Sequence, residues 1–329
     1  MPDPVRLQPL PVPRSGPPPF DSPVQEGGYQ WWYLDAFDPT SQQALVVIAF
    51  VGSVFSPYYF RARHKAGVPA PANPMNFCAL NVALYGKNFK RWAMTERCGS
   101  MIERDAQRFR LGPSCLEWQT DGSLLIQVQE RSAPTGRRIS GSIEITPVLT
   151  TSLCLPLDSQ GFHRWLPWSP LARVKLSFEK PALQWSGEGY MDSNFGSEPL
   201  ERAFRSWDWS RSRETDGVEI QYAVSCTDGT RSATQVRIDE AGNSSVTPAP
   251  ECRSLRRTGW GIERSARSGN PVSLLRTLED TPFYARSLLS LERADGRAIA
   301  MHESLSMERF QKTWVRSLLP FRMPRRFWG

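Results

Sequence analysis

Four short segments of this 329-residue chain concentrate side chains able to move protons or to hold an apolar molecule. They are Gln30-Trp-Trp-Tyr-Leu-Asp35, Gly161-Phe-His-Arg-Trp-Leu-Pro-Trp168, Trp185-Ser-Gly-Glu-Gly-Tyr-Met-Asp-Ser-Asn194 and Trp207-Asp-Trp-Ser-Arg211. In the third, Tyr190, Asp192 and Asn194 recur at alternate positions, so on a strand their side chains point the same way. Such a polar row suits a solvent-facing surface or a polar patch inside a cavity. The segments hold phenol, carboxyl and imidazole groups, which are those of general acid–base chemistry. Each also has a plain structural reading. Asp-Ser-Asn is good turn chemistry. A lone histidine in a β protein is often a satisfied interior residue. Trp31, Trp32, Trp207 and Trp209 suit a core, and Asp208 with Arg211 suits an ion pair.

Other chemistries lack their residues. The three histidines, His64, His163 and His302, are far apart, with neither H-E-x-x-H nor paired cysteines, so no metal site is expected. There is no G-x-G-x-x-G, no phosphate loop and no G-x-S-x-G elbow. An enzyme built on this chain works with ordinary side chains and water.

The elements that must position these residues read as strands. Ile126 and Val128, then Ile139, Ile143 and Ile145, then Val174, Leu176 and Phe178, then Val218, Ile220, Tyr222 and Val224 alternate with polar residues. Period two with one apolar face marks half-buried antiparallel strands. Asp121-Gly122, Asp228-Gly229 and Asp295-Gly296 fall where tight turns are needed. Ala44–Phe55 is apolar on both faces and reads as a central strand. Helical periodicity is confined to two short candidates, Glu201–Ser206 and Glu303–Val315. The fold class expected is all-β, sandwich or barrel. A break near residues 175–188 divides the strands into halves, 24–180 and 181–329. Nine of the 28 prolines lie in residues 1–23, which read as an extended, mobile lead-in.

Composition, with 40% hydrophobic and 22% charged residues, is that of a folded protein. Twelve tryptophans suit a site for a large apolar ligand. A net charge of +7 favours acidic partners, but no nucleic-acid motif is present, leaving an anionic membrane surface. The terminal stretch 318–329 mixes Arg322, Arg325 and Arg326 with Phe321, Met323, Phe327 and Trp328, as a headgroup region accepts. A tail packed on the protein itself is the alternative. Six scattered cysteines and the lack of a signal-peptide core read as reduced thiols in a cytoplasmic protein. Ala44–Phe55 is about half the length of a bilayer-spanning helix, so the chain is expected to lie on a membrane and not cross it.

These segments are joined by Phe50-Val-Gly-Ser-Val-Phe-Ser-Pro-Tyr-Tyr59, Cys78–Gly86, Arg91–Arg97, Arg276–Arg286 and Met301–Ser306. Together, in order, they resemble the carotenoid 1,2-hydratase (hydroxyneurosporene synthase) family from about residue 24 to Arg325. One departure is Gln30, where the resemblance implies Glu before Trp-Trp-Tyr. The resemblance implies two tandem lipocalin-like antiparallel β domains. It also implies a hydro-lyase, working without cofactor, that adds water to the terminal C1–C2 double bond of neurosporene, lycopene or a related acyclic carotene. It places the protein at the cytoplasmic or intracytoplasmic membrane of photosynthetic bacteria, with other spheroidene- or spirilloxanthin-pathway enzymes as partners.

The catalytic set it implies is His163, Trp165, Tyr190 and Asp192, with Trp31, Trp207, Trp209 and Asn194 as substrate contacts. On that reading Asp192 is the general acid and Tyr190 positions it or holds water. Trp165 faces a tertiary cation, and His163 takes the proton of the attacking water. An aromatic-lined barrel lumen is expected to enclose them. The rival readings are a carotenoid or terpenoid carrier without catalysis, and an enzyme using the same cavity for another reaction of a polyene.

Overall fold

The computed structural model describes residues 16–64, 72–293 and 296–326. Residues 1–15 of the proline-rich lead-in, Asp295 of one expected turn, and Phe327 and Trp328 of the tail lie outside the described residues. Strands dominate what is described, with a few short helices, and the chain forms two compact units.

The first unit draws on described residues of Pro9–Pro156, Phe162–Pro199 and Ser317–Gly329. Its early strands are β1 (Tyr29–Asp38), β2 (Gln43–Val51), β3 (Cys78–Tyr85) and β4 (Lys90–Arg97). There follow β5 (Ile102–Arg104), β6 (Arg108–Leu111), β7 (Ser114–Trp118) and β8 (Leu124–Arg131). The last are β9 (Arg138–Leu149), β10 (Leu155–Pro156), β11 (His163–Lys180) and β12 (Leu183–Gly196). They form one antiparallel sheet in the order β4-β3-β2-β1-β12-β11-β9-β8-β7-β6-β5, with β10 beside β11. The alternation seen in sequence is the burial pattern of β8, where Leu124, Ile126 and Val128 are buried and Gln127 and Gln129 exposed. β1 and β3 are buried on both faces, as their two-sided apolar sequence requires.

One face of this sheet makes the core. Trp32 and Leu34 of β1, Val47 of β2, Leu80 and Val82 of β3, Phe109 of β6 and Ile126 of β8 share one cluster with Ile143, Val174 and Met191. Strands from opposite ends of the sheet meet in that cluster, so the sheet curls around it. Glu130 of β8 latches the curl. It receives Arg97 Nη2 of β4 at 2.8 and 3.0 Å, Thr95 Oγ1 at 2.8 Å and Ser114 Oγ at 2.8 Å.

The lead-in is not extended over its full expected length. Phe20 is buried in the core against Trp32 and Trp118, and Arg104 Nη1 donates to its carbonyl at 2.7 Å. One aromatic among prolines is enough to anchor residues near it, which proline counting does not register. The division of the chain also falls later than 180/181. β11 and β12 are paired strands of one sheet, joined at residues 181–182, and the chain leaves the unit after Pro199. Period-two patterning does not distinguish a hairpin turn from a linker.

The second unit comprises Leu157–Gly161 and Leu200–Arg316. Its strands are β13 (Phe204–Glu214), β14 (Gly217–Cys226), β15 (Arg231–Asp239), β16 (Ser244–Pro248), β17 (Cys252–Leu255) and β18 (Arg264–Arg267). β19 (Val272–Asp280), β20 (Tyr284–Arg293) and β21 (Gly296–Ser306) follow. The sheet order is β16-β15-β14-β13-β21-β20-β19, and β17 pairs with β18 apart from it. Ala266 of β18 packs with Leu289, Leu291 and Ala300, so the small hairpin covers part of the larger sheet.

Asp208 does not pair with Arg211. Three positions apart on β13, they point to opposite faces, and Asp208 instead accepts from Ser265 Oγ at 2.7 Å and Ser304 Oγ at 2.5 Å. Both helix candidates are shorter than expected. Leu200–Ala203 alone is helical in the first, and residues 303–306 continue β21 before helices Met307–Phe310 and Thr313–Arg322 begin. A short strand, β22 (Arg325–Arg326), adds in parallel to β4 in the first unit, where Arg325 Nη1 meets Glu96 Oε1 at 2.8 Å. No disulfide links any of the six cysteines. No described helix is long and apolar enough to cross a membrane.

Candidate active site

The strands that build the core carry a second row of side chains on their other face. On β1, Tyr29, Trp31, Tyr33 and Asp35 alternate with the core residues Trp32 and Leu34. Antiparallel register sets Trp31 opposite Asn194, Tyr33 opposite Asp192 and Asp35 opposite Tyr190 on β12. On the other side of β12, Trp165 of β11 stands opposite Asn194 and His163 opposite Gly196. The period of two therefore brings Trp31, His163, Trp165, Tyr190, Asp192 and Asn194 onto one face, all buried. The expected barrel lumen is instead filled by the core cluster, and the site lies on the reverse of the same sheet. β strands do not declare from sequence which of two apolar faces points inward.

Local irregularity lets β11 serve both ends of the sheet. Its register against β12 shifts between Leu166 and Ser169 and again between Ser169 and Ala172. Such bulges increase twist and re-aim side chains. Ser169 Oγ lies in the irregular stretch with its single hydrogen shared between the carbonyls of Leu149 and Leu171, each 3.0 Å away.

Two donors meet at one carboxyl oxygen. Trp165 Nε1 donates to Asp192 Oδ2 at 3.0 Å and approaches Tyr190 Oη at 3.2 Å, while Tyr190 Oη donates to the same Oδ2 at 2.9 Å. Asp192 is 6% exposed. Burial pushes the Tyr190 phenol well above its usual range, Asp192 in its ionised form and the hydrogen bond to it push it further, and Asp35 adds to the effect. Tyr190 thus keeps its hydrogen and acts as a donor.

A second chain of contacts surrounds His163. Tyr29 Oη lies 2.9 Å from Nδ1 and Glu198 Oε1 lies 3.5 Å from Nε2. Tyr29 stacks on His163 and also on Trp31, at centroid separations of 5.7 and 5.0 Å. Gly196 makes this possible, since a Cβ there would stand 2.6 Å from the Tyr29 ring and 2.7 Å from His163 Nδ1. The imidazole joins a phenol in the interior to a carboxyl group that is partly exposed.

Trp207 and Trp209 belong to the second unit. They are buried on β13, where Trp207 meets Phe204 and Tyr222. Sequence reasoning gave no role to Tyr29, to Tyr33 and Asp35 of the first singled-out segment, or to Glu198. For the first three the signal was present, because Tyr29, Trp31, Tyr33 and Asp35 form a row at strand spacing. Glu198 follows the end of β12 and carried none. Among the described residues no group of three or more His, Cys, Asp or Glu is placed to hold a metal ion.

Fold and site together define an all-β protein whose buried carboxyl, phenol and indole lie on the reverse of a curled antiparallel sheet. The chain belongs to the carotenoid hydratase CrtC family, whose model matches residues 47–328. It is 46% identical to the acyclic carotenoid 1,2-hydratase of Thiocapsa roseopersicina and 42% identical to that of Rubrivivax gelatinosus. These matches cover 94% of this chain and 76% and 77% of those proteins. A Nitrosomonas europaea protein assigned as AttH has a similar solved structure, with 13% identity and a TM-score of 0.59, covering 88% of this chain and 98% of that one. That likeness is one of fold, the lipocalin-like all-β type.

Proposed function

We propose that this enzyme is an acyclic carotenoid 1,2-hydratase that protonates the terminal isoprene double bond from Asp192 and lets water capture the resulting cation. The observation that carries the reading is the convergence of Trp165 and Tyr190 on Asp192 Oδ2, within a family of carotenoid hydratases. With Oδ2 occupied by two donors, the acidic hydrogen of a neutral carboxyl sits on Oδ1. Removal from water disfavours the charged form of a carboxyl group. Transfer of that hydrogen to C2 turns the π electrons into a C–H bond and leaves a tertiary cation at C1. A facing indole, Trp165 or Trp31, stabilises such a cation by roughly 0.5–2 kcal/mol. The oxygen of water then bonds to C1, and His163 accepts the released proton. Glu198 passes it outward, and Asp192 is reprotonated from solvent. No electrons are exchanged, so the reaction calls for no redox cofactor.

The substrate on this reading is neurosporene, lycopene or another acyclic carotene, and Asn194 and Trp31 of the first unit contribute to holding it. Polyenes of this kind reside in lipid, which favours a protein working on the cytoplasmic face of a membrane beside other pathway enzymes. The test is product analysis by mass spectrometry with purified protein and lycopene or neurosporene. A gain of one water is expected, with one deuterium at C2 when D2O replaces H2O. Binding of carotene without hydration, unchanged in Asp192→Asn, would make the protein a carrier and overturn the reading.

A further inference from the structure

The reverse face of the first unit's sheet buries a second carboxyl group that the proposed reaction does not use. Asp35 ends the row Tyr29, Trp31, Tyr33, Asp35 on β1 and is 0% exposed, against 6% for Asp192. The antiparallel register sets Asp35 opposite Tyr190 and Tyr33 opposite Asp192. Direct partners across such a pair have Cβ atoms about 4.5–5.5 Å apart, and diagonal ones, as Asp35 and Asp192 are, stand about 7–8 Å apart. Tyr33 packs edge-on against Tyr190 with ring centroids 6.2 Å apart, which holds the phenol in place beside both acids. Beyond burial, ionised Asp192 and ionised Asp35 both push the Tyr190 phenol up.

Asp192 needs such a neighbour. Trp165 and Tyr190 both donate to its Oδ2, and hydrogen bonds to a carboxylate favour its charged form. An acid that must keep its proton until a double bond arrives therefore has two donors working against it. A second carboxyl group works the other way, because each negative charge raises the cost of the other where water is excluded. Facing Asp35 and Asp192 from β1 are Tyr29 and Tyr33, and from β12 Tyr190 and the exposed Glu188. From β11 come His163 and, opposite Glu188, the exposed Arg173. β2, on the other side of Asp35, contributes Ala44, Val46 and Ile48.

We propose that Asp35 is a positioning residue for the hydration step, paired with Asp192 so that the two carboxyl groups hold a single proton between them until the substrate takes it. The pairing rests on the reading of Asp192 as the acid. Such a pair titrates as a unit, in two steps. Transfer of its one proton to C2 leaves both carboxyl groups negative beside the tertiary cation at C1. Water bonds to C1 and loses its proton to His163, and solvent restores one proton to the pair.

The pH–rate profile for hydration of lycopene tests the pairing. Asp35→Asn should move the alkaline limb, where the acid loses its proton, about one pH unit lower, a loss of about tenfold in rate above it. Asp35→Glu keeps the charge and should return the limb toward its parental position. A limb unmoved by Asp35→Asn, or moved equally by Asp35→Glu, would overturn the proposal.

A second measurement needs no turnover and keeps Asp35 in place. With aspartate carboxyl carbons labelled by carbon-13, the Asp35 resonance is followed by NMR in the parent and in Asp192→Asn. Coupling is reciprocal, so the upper step of the Asp35 titration should fall by about one pH unit once the Asp192 carboxyl is gone. Identical titrations in the two proteins overturn the pairing even where Asp35→Asn fails to fold. Hydration by a protein whose carboxyl groups titrate independently ends the pairing alone. Coupled carboxyl groups in a protein that adds no water end the hydratase reading alone.

Discussion

Tyr190 gives its phenolic hydrogen to Asp192 Oδ2 at 2.9 Å, the same oxygen that Trp165 Nε1 reaches at 3.0 Å. Both donors come from outside the carboxyl group's own residue, one from the same strand face and one from the neighbouring strand. The arrangement fixes the carboxyl plane and leaves Oδ1 as the atom that changes protonation state in the proposed reaction.

Replacing Asp192 by Asn should lower kcat by about 10²–10⁴, the usual worth of a positioned general acid, with thermal stability little changed. Tyr190→Phe removes one of the two donors and should reduce kcat less than Asp192→Asn while leaving KM near its original value. Steady-state kinetics on lycopene checks both. Equal and complete loss in the two variants would mean that Tyr190 does more than position.

The His163 contacts predict an effect at a distance. Glu198→Gln removes the carboxylate near Nε2, and kcat should fall about tenfold, with the low-pH limb of the rate profile displaced. Tyr29→Phe, on the Nδ1 side, tests the other contact. A pH–rate profile identical to the parent in both variants would remove His163 from the proton path.

Glu96 predicts how stability varies with acidity. Burial raises its carboxyl to about 7 from an ordinary 4.5, with Ser56 and Arg325 opposing the rise. The unfolded chain releases this proton first. Stability from this group is therefore complete below about 4.5 and is lost as pH rises through about 7, a change on the order of 3 kcal/mol. Melting temperatures measured across that range should decline, and Glu96→Gln should flatten the slope.

Glu130 predicts the cost of opening the curl. Glu130→Ala leaves Arg97 buried without its carboxylate and should destabilise the protein by about 3–5 kcal/mol, measured by urea denaturation. Changing both residues to apolar ones of similar size should recover much of that loss.

Much of the sheet was legible because alternation is a local property. Val174, Leu176 and Phe178 show their buried face in any window of a few residues, and Asp121-Gly122 and Asp228-Gly229 mark turns, with Gly122 and Gly229 at φ of 82° and 89°. The Tyr190, Asp192, Asn194 row was legible for the same reason. Other features depend on register between distant strands. Nothing near Tyr29 indicates His163, 134 residues away, until β1, β12 and β11 stand side by side. Two apolar faces on β1 also leave open which is interior, so the site was expected inside the curl and lies on its reverse. Phe20 was lost among prolines for want of any local pattern.

Because β1 turns alternate residues to different faces, the proposed reactive surface can be altered separately from the core. Substitutions at Trp31 or Tyr33 fall on the face of the proposed site, whereas Trp32 and Leu34, their immediate neighbours in sequence, belong to the core cluster. A library restricted to the odd positions of that strand samples specificity while sparing the scaffold. A library of contiguous positions loses most members to misfolding.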